Sequence, residues 1–141
     1  MVGDATPRAP LPAELVEFLA KPRMAVVGTV RDSGSPVTTP CWYELESGGR
    51  ILLSMDEESH RLRHLRGDPR LALTVLGDDW YSHVSILGRA VDIRPDADLA
   101  DIDALSHRYV GEPYDDRTYR GVTVLAEIER WHTYGDPAAE A

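Results

Sequence analysis

Cys41 is the only cysteine, so no internal disulfide can form and a disulfide-stapled secreted fold is excluded. Basic side chains are also scarce, 15 against 24 acidic ones, for a formal charge of −9. A field of that sign repels phosphate backbones and anionic lipid surfaces, so neither nucleic acid nor a membrane is expected as a partner. No apolar run approaches the roughly 20 residues of a spanning helix. The first residues, MVGDATPRAPLP, lack the basic start and apolar centre of a secretory signal. The expected setting is therefore the cytoplasm. The patterns G-x-S-x-G, G-x-G-x-x-G and the P-loop are all missing, which removes the usual support for triad hydrolase, Rossmann and P-loop readings.

What remains is an ordinary globular composition. A chain of 141 residues with 43% hydrophobic side chains is enough for one domain with its own core. Residues 1–11 are small, Pro-rich and unpatterned and are expected to be a flexible leader, residues 12–135 the domain, and residues 136–141 a C-terminal tail. Pro12 suits the first turn of a short helix that buries Leu15, Phe18 and Leu19. From Met24 the period changes to two. Runs over 24–30, 36–46 and 51–55, separated by turn signals at 32–35 and 47–49, predict a three-strand antiparallel meander. A helix over Glu58–Arg66 follows, then strands over 71–76 and 81–93, with Gly88 as a bulge or a point of close contact. An acidic helix over Asp96–Tyr109 buries Leu99, Ile102 and Leu105. A Gly-, Pro- and Tyr-rich loop over 110–119 and a last strand over 122–131 complete the chain. The expected fold is mainly β, a six-stranded antiparallel barrel with short helices.

The segment around residues 54–70 carries the most chemistry. Arg61, Arg63, Arg66 and Arg70 fall within ten positions of an otherwise acidic chain. With Ser59 as helix cap, Arg61 lies in the first turn, where free N–H groups, the positive dipole end and a guanidinium converge on one anion site. The plainer reading is a solvated helix face, with Arg66 and Arg70 pairing Asp68 or Glu58. Asp56, Glu57 and Glu58, just upstream, oppose anion binding by like charge. His60 and His64 share a helix face but have no third ligand, so no metal site is expected. Cys41, between Pro40 and Trp42, reads as a small buried residue rather than a nucleophile. Thr38, Thr39 and Trp42 are simply good strand residues, but with Pro40 they equally offer a surface on which a planar heteroaromatic ring can lie.

The stretches MAVVGTVRDSGSPVTTPCWYELE, ILLSM, RLRHLRGDPRLALTV, DDW, ILGRAVDI and WHTYG, in that order over about residues 12–135, resemble the pyridoxamine-phosphate-oxidase-like split β-barrel superfamily, of the FMN-binding split-barrel type. Within it they look most like the actinobacterial branch of coenzyme F420-dependent reductases. The resemblance implies a homodimer with cofactors in clefts between subunits, the ring along Thr38, Thr39, Pro40, Trp42, Ser54 and Met55. It places the cofactor phosphate at Ser59, Arg61 and Arg63, and Trp80 where a partner subunit contributes. The family often has Lys at the position of Arg61. The implied activity is hydride transfer from reduced deazaflavin to an unsaturated or aromatic small molecule, with no catalytic side chain assigned. The alternatives are FMN as the cofactor, or a non-catalytic protein that binds flavin, haem or a tetrapyrrole.

Overall fold

The computed structural model describes residues 8–140, so the first seven residues of the expected leader lie outside it. From Arg8 onward the chain is already paired. Arg8 bridges Arg130, and the Ala9 N–H donates to the Glu129 carbonyl at 3.1 Å. Helix α1 (Ala13–Leu19) follows Pro12, whose carbonyl accepts from the N–H groups of Leu15 and Val16. Its apolar face is Leu15, Phe18 and Leu19, as the spacing predicts.

The order continues β1 (Ala25–Val30), β2 (Pro36–Cys41), β3 (Glu44–Leu45), β4 (Ile51–Asp56), α2 (His60–Gly67), β5 (Arg70–Leu76), β6 (His83–Pro95), α3 (Ala100–Val110) and β7 (Gly121–Tyr134). All strands join one antiparallel sheet in the order β2-β1-β5-β6-β7-β4-β3. The fold is mainly β with short helices, as expected, but among the described residues the sheet has seven strands rather than six and is not closed. The single strand anticipated over Pro36–Glu46 is two strands at opposite edges. The meander is therefore two hairpins, β1–β2 at one edge and β3–β4 at the other.

Trp42 and Tyr43 make the crossing between the edges. Tyr43 is fully buried, and its hydroxyl meets the carbonyls of Leu19 and Lys21 at 3.0 and 2.9 Å. Burying that ring turns the chain out of β2. Two intervening residues span at most roughly 10 Å, so the sheet must curl until its edges nearly meet.

The main core fills this curl with α1 and α2 against it, through Phe18, Leu19, Val27, Leu53, Met55, Leu62, Leu65, Leu73, Ile86 and Val124. A second cluster, Leu52, Ile102, Leu105 and Leu125, lies where α3 covers the back of β4 and β7. The first half of β7 is therefore buried on both faces: Thr123 and Leu125 are as buried as Val122 and Val124. Thr123 Oγ1 donates to Asp101 Oδ2 of α3 at 2.7 Å.

Helix α3 starts later than the expected Asp96, because Asp98 and Leu99 take left-handed backbone angles. Asp96 instead accepts from the N–H groups of Asp101 and Ile102, both at 2.9 Å. Beside Gly88 the register shifts because β7, not β6, carries an extra residue, Glu129, and Gly88 is the expected close contact: a Cβ there would lie 2.5 Å from the Glu127 carbonyl oxygen. The expected C-terminal tail includes a single 3₁₀ turn, Pro137–Glu140, which packs on α1.

Candidate functional site

A cavity of about 630 Å³ opens where the β1–β2 edge, the Trp42 crossing, β4, the start of α2 and the α3 side meet. That volume is in the usual range for small-molecule sites. Its sheet side is Met24, Val26, Pro40, Cys41 and Leu76, and its far wall is aromatic. Trp42 stacks on Tyr109, with centroids 5.4 Å apart and planes 10° from parallel, and Tyr114 meets Trp42 edge-on at 6.2 Å. Tyr119 packs on Tyr114 at 5.1 Å.

These rings are anchored. Tyr109 Oη donates to the Arg23 carbonyl at 2.7 Å, and Tyr119 Oη lies 3.0 Å from Ser54 Oγ. Next to Tyr109, Arg108 donates to the carbonyls of Leu19, Ala20, Lys21 and Tyr43, which fastens the end of α3 to the end of α1 and to the crossing. Burial pushes the Tyr109 and Tyr119 hydroxyls above their ordinary range, and the Ser54 hydrogen bond partly offsets this for Tyr119. Burial also pushes the Cys41 thiol up to about 11, against the pull of Arg61, so it is a neutral wall atom and not a nucleophile.

The cationic end of the cavity is Arg61, in the first turn of α2. Ser59 caps that helix, its Oγ accepting from the Leu62 N–H at 3.3 Å. Arg61 has no hydrogen-bond or ion-pair partner among the described residues. Arg66 likewise has none, whereas Arg70, Glu57, Glu58 and Asp56 are engaged. Arg70 is held by both oxygens of Asp68, whose carboxyl it keeps down at about 2. Glu57 and Glu58 pair with Arg120 at 3.4 and 2.7 Å. Asp56 Oδ1 accepts from the Glu58 N–H at 2.8 Å.

Of the sequence-derived candidates, the structure brings Pro40, Trp42, Ser54 and Arg61 together on this cavity. Thr38 and Thr39 lie further along β2, opposite Gly28 and Val27. Met55 is fully buried in the core, because strand alternation sends Ser54 and Asp56 to one face and Met55 to the other. The Ser59 hydroxyl is engaged as the cap, and Arg63 is exposed beside His60 Nδ1 at 3.4 Å. Trp80 is 83% exposed in the β5–β6 loop, away from this cavity. Tyr109 was not anticipated, although it falls four residues after Leu105 and seven after Ile102, on the same helix face. Tyr114 and Tyr119, in the loop expected to shape a substrate site, do line the cavity. Among the described residues no group of three or more His, Cys, Asp or Glu is placed to hold a metal ion, and His64 Nδ1 instead meets Thr29 Oγ1 at 3.0 Å. No helix among the described residues is long and apolar enough to cross a membrane.

The pyridoxamine 5'-phosphate oxidase family profile matches residues 11–134. Among solved structures, an F420 reductase superposes with a TM-score of 0.76 at 24% identity, covering 88% of this chain and 98% of its own. A conserved hypothetical protein of Mycobacterium tuberculosis gives 0.74 at 24%, covering 100% of this chain and 94% of its own. A heme binding protein of Mycobacterium smegmatis gives 0.62 at 16%, covering 90% of this chain and 56% of its own. At these identities they share the fold. No curated protein matches the chain significantly.

Proposed function

The chain belongs to the pyridoxamine 5'-phosphate oxidase family, and from that membership we propose an oxidoreductase that uses reduced coenzyme F420 to reduce an unsaturated or aromatic small molecule. The observation that carries the proposal is the unpaired Arg61 guanidinium at the start of α2, at one end of a cavity walled mainly by aromatic and apolar side chains, with Ser54 and Asp56 as its other polar lining residues. Those residues fit a flat heteroaromatic group that bears a phosphate.

In this reading Arg61 and the open N–H groups of the first turn of α2 hold the phosphate, with Ser59 fixing the turn and Arg63 adding positive charge outside. Thr38, Thr39, Pro40, Trp42 and Ser54 position the ring, and Met55 supports that floor from the core side. When bound, the reduced deazaflavin supplies a hydride. The chain's own task is placement and exclusion of water, by the Trp42–Tyr109–Tyr114 wall.

The functional unit in this reading is a homodimer. Among the described residues no helix covers the outer face of β2, β1, β5 and β6, whose centre carries small or apolar side chains, among them Val26, Ala72, Thr74 and Leu87, with Arg70 and Arg89 at one end. The cavity opens toward that face past Met24, Val26, Pro40 and Leu76. A second copy seated there closes the cleft, with the exposed Trp80 available to it.

The test is a titration of intrinsic tryptophan fluorescence with coenzyme F420 and FMN in parallel. Tight binding of F420 supports the proposal and justifies a substrate screen with its reduced form. Binding of FMN alone replaces the cofactor and keeps the oxidoreductase reading. Saturable binding without turnover of any acceptor favours a non-catalytic binding protein, and binding of neither cofactor overturns the reading.

A further inference from the structure

We infer that Arg120, which lines no part of the cavity, sets the affinity of the Arg61 site for a phosphate-bearing ligand by holding the carboxylates of Glu57 and Glu58. The inference rests on the cofactor reading above and adds a positioning residue to it. Three consecutive acidic residues immediately precede α2, where the phosphate would lie, and by like charge they should oppose it.

The fold provides a counterweight. Asp56 pairs with Gly121 across β4 and β7, and the Glu57 N–H donates to the Arg120 carbonyl at 2.9 Å. That register sets Arg120 beside the acidic run. Its guanidinium reaches Glu57 Oε2 at 3.4 Å and Glu58 Oε1 at 2.7 Å. The preceding residue, Tyr119, bonds Ser54 in the cavity, so neighbouring residues of one segment serve the inside and the outside of the site. All three charged side chains are largely exposed, so the cluster contributes little to folding stability. Its effect is on the charge near Arg61. Without Arg120, two free carboxylates lie within four residues of Arg61, where they repel an incoming anion and compete for the guanidinium.

The experiment compares the unaltered protein, Arg120→Ala, and Arg120→Ala combined with Glu57→Gln and Glu58→Gln. Each is titrated with FMN and riboflavin, and with coenzyme F420 and its phosphate-free deazaflavin chromophore. Arg120→Ala is expected to weaken the phosphate-bearing ligands by about three- to tenfold at low salt, the scale of one or two unit charges a few ångströms further off in a wet site. The phosphate-free ligands should be unaffected. Neutralising Glu57 and Glu58 should restore the affinity, and raising the salt should shrink the difference. Unchanged affinity in Arg120→Ala overturns the inference. So does a loss that also affects the phosphate-free ligands, or that neutralising the two glutamates does not restore. If the unaltered protein binds none of the four ligands, the cofactor reading itself falls, and this inference with it.

Discussion

Trp42 and Tyr109 lie face to face, 5.4 Å between centroids and 10° from parallel, although 67 positions separate them in sequence. Trp42 belongs to the crossing that joins the two edges of the sheet, and Tyr109 to the last turn of α3. The Tyr109 hydroxyl also donates to the Arg23 carbonyl, so one side chain ties the crossing, the helix and the entry to β1 together. The cavity wall is thus held from three parts of the chain.

Tyr109→Ala should consequently cost both stability and binding. Losing a half-buried aromatic ring, its stack and its hydrogen bond is expected to destabilise the fold by about 2–4 kcal/mol. Tyr109→Phe keeps the stack and should cost only about 1 kcal/mol, the scale of one hydrogen bond. Urea unfolding of the two variants separates these terms. Equal losses would mean that the hydroxyl, and not the ring, holds the wall.

Arg61→Ala should have the opposite profile. The Arg61 side chain makes no hydrogen bond or ion pair with the described residues, so its removal should leave the melting temperature within the range of ordinary surface substitutions. Affinity for a phosphate-bearing cofactor should fall by about 10- to 100-fold, the equivalent of one charge-assisted hydrogen bond at roughly 1.5–3 kcal/mol. Calorimetric binding beside a thermal melt reads both effects. Unchanged affinity would remove Arg61 from the phosphate site.

Periodicity located the strands wherever one face is fully buried and the other only partly so, as in β1 and β5, whose residues alternate along their length. It could not separate β2 from β3. The segment Cys41-Trp42-Tyr43-Glu44 contains no turn residue, and the break is set by Tyr43 reaching carbonyls more than twenty positions earlier. The double burial of β7 was equally invisible, since it depends on α3 docking over Thr123 and Leu125. At the site, Arg61 was legible because its role is local, a cation in the first turn of a Ser-capped helix. The charge balance around it was not, because Arg120 reaches Glu57 and Glu58 only through the pairing of β4 with β7.

Glycine positions test how tightly the C-terminal segment is seated. Gly135 has φ +70°, and a Cβ there would run into the Tyr81 carbonyl oxygen. Gly135→Ala is therefore expected to destabilise by more than about 2 kcal/mol, strain and collision together. Gly49 has φ +85° but open space around it, so Gly49→Ala should show only the backbone cost of about 1 kcal/mol. The difference between their denaturation midpoints measures the packing of the 135–140 segment on the β5–β6 loop. Equal midpoints would mean that this segment is not docked.

Cys41 makes the stability depend on alkaline pH. Its thiol has an ordinary value of 9.0 and is raised to about 11 in the fold, chiefly by burial, with Arg61 pulling the other way. Between those two values the unfolded chain releases the thiol proton while the folded chain keeps it. Raising the pH therefore favours unfolding, and the contribution is fully present below pH 9 and lost as pH approaches 11. The buried Tyr43 hydroxyl, raised by its own desolvation, acts in the same direction at higher pH. Cys41→Ala should remove the thiol's share, so that its stability falls less steeply from pH 9 to 11, by about 1–2 kcal/mol. Urea unfolding at half-unit steps across that window is the measurement, with alkylation of the native thiol at pH 8 as its partner. The thiol should react far more slowly than a free cysteine. Rapid labelling, or parallel pH profiles for the two proteins, would show that the cavity wall is wet at Cys41.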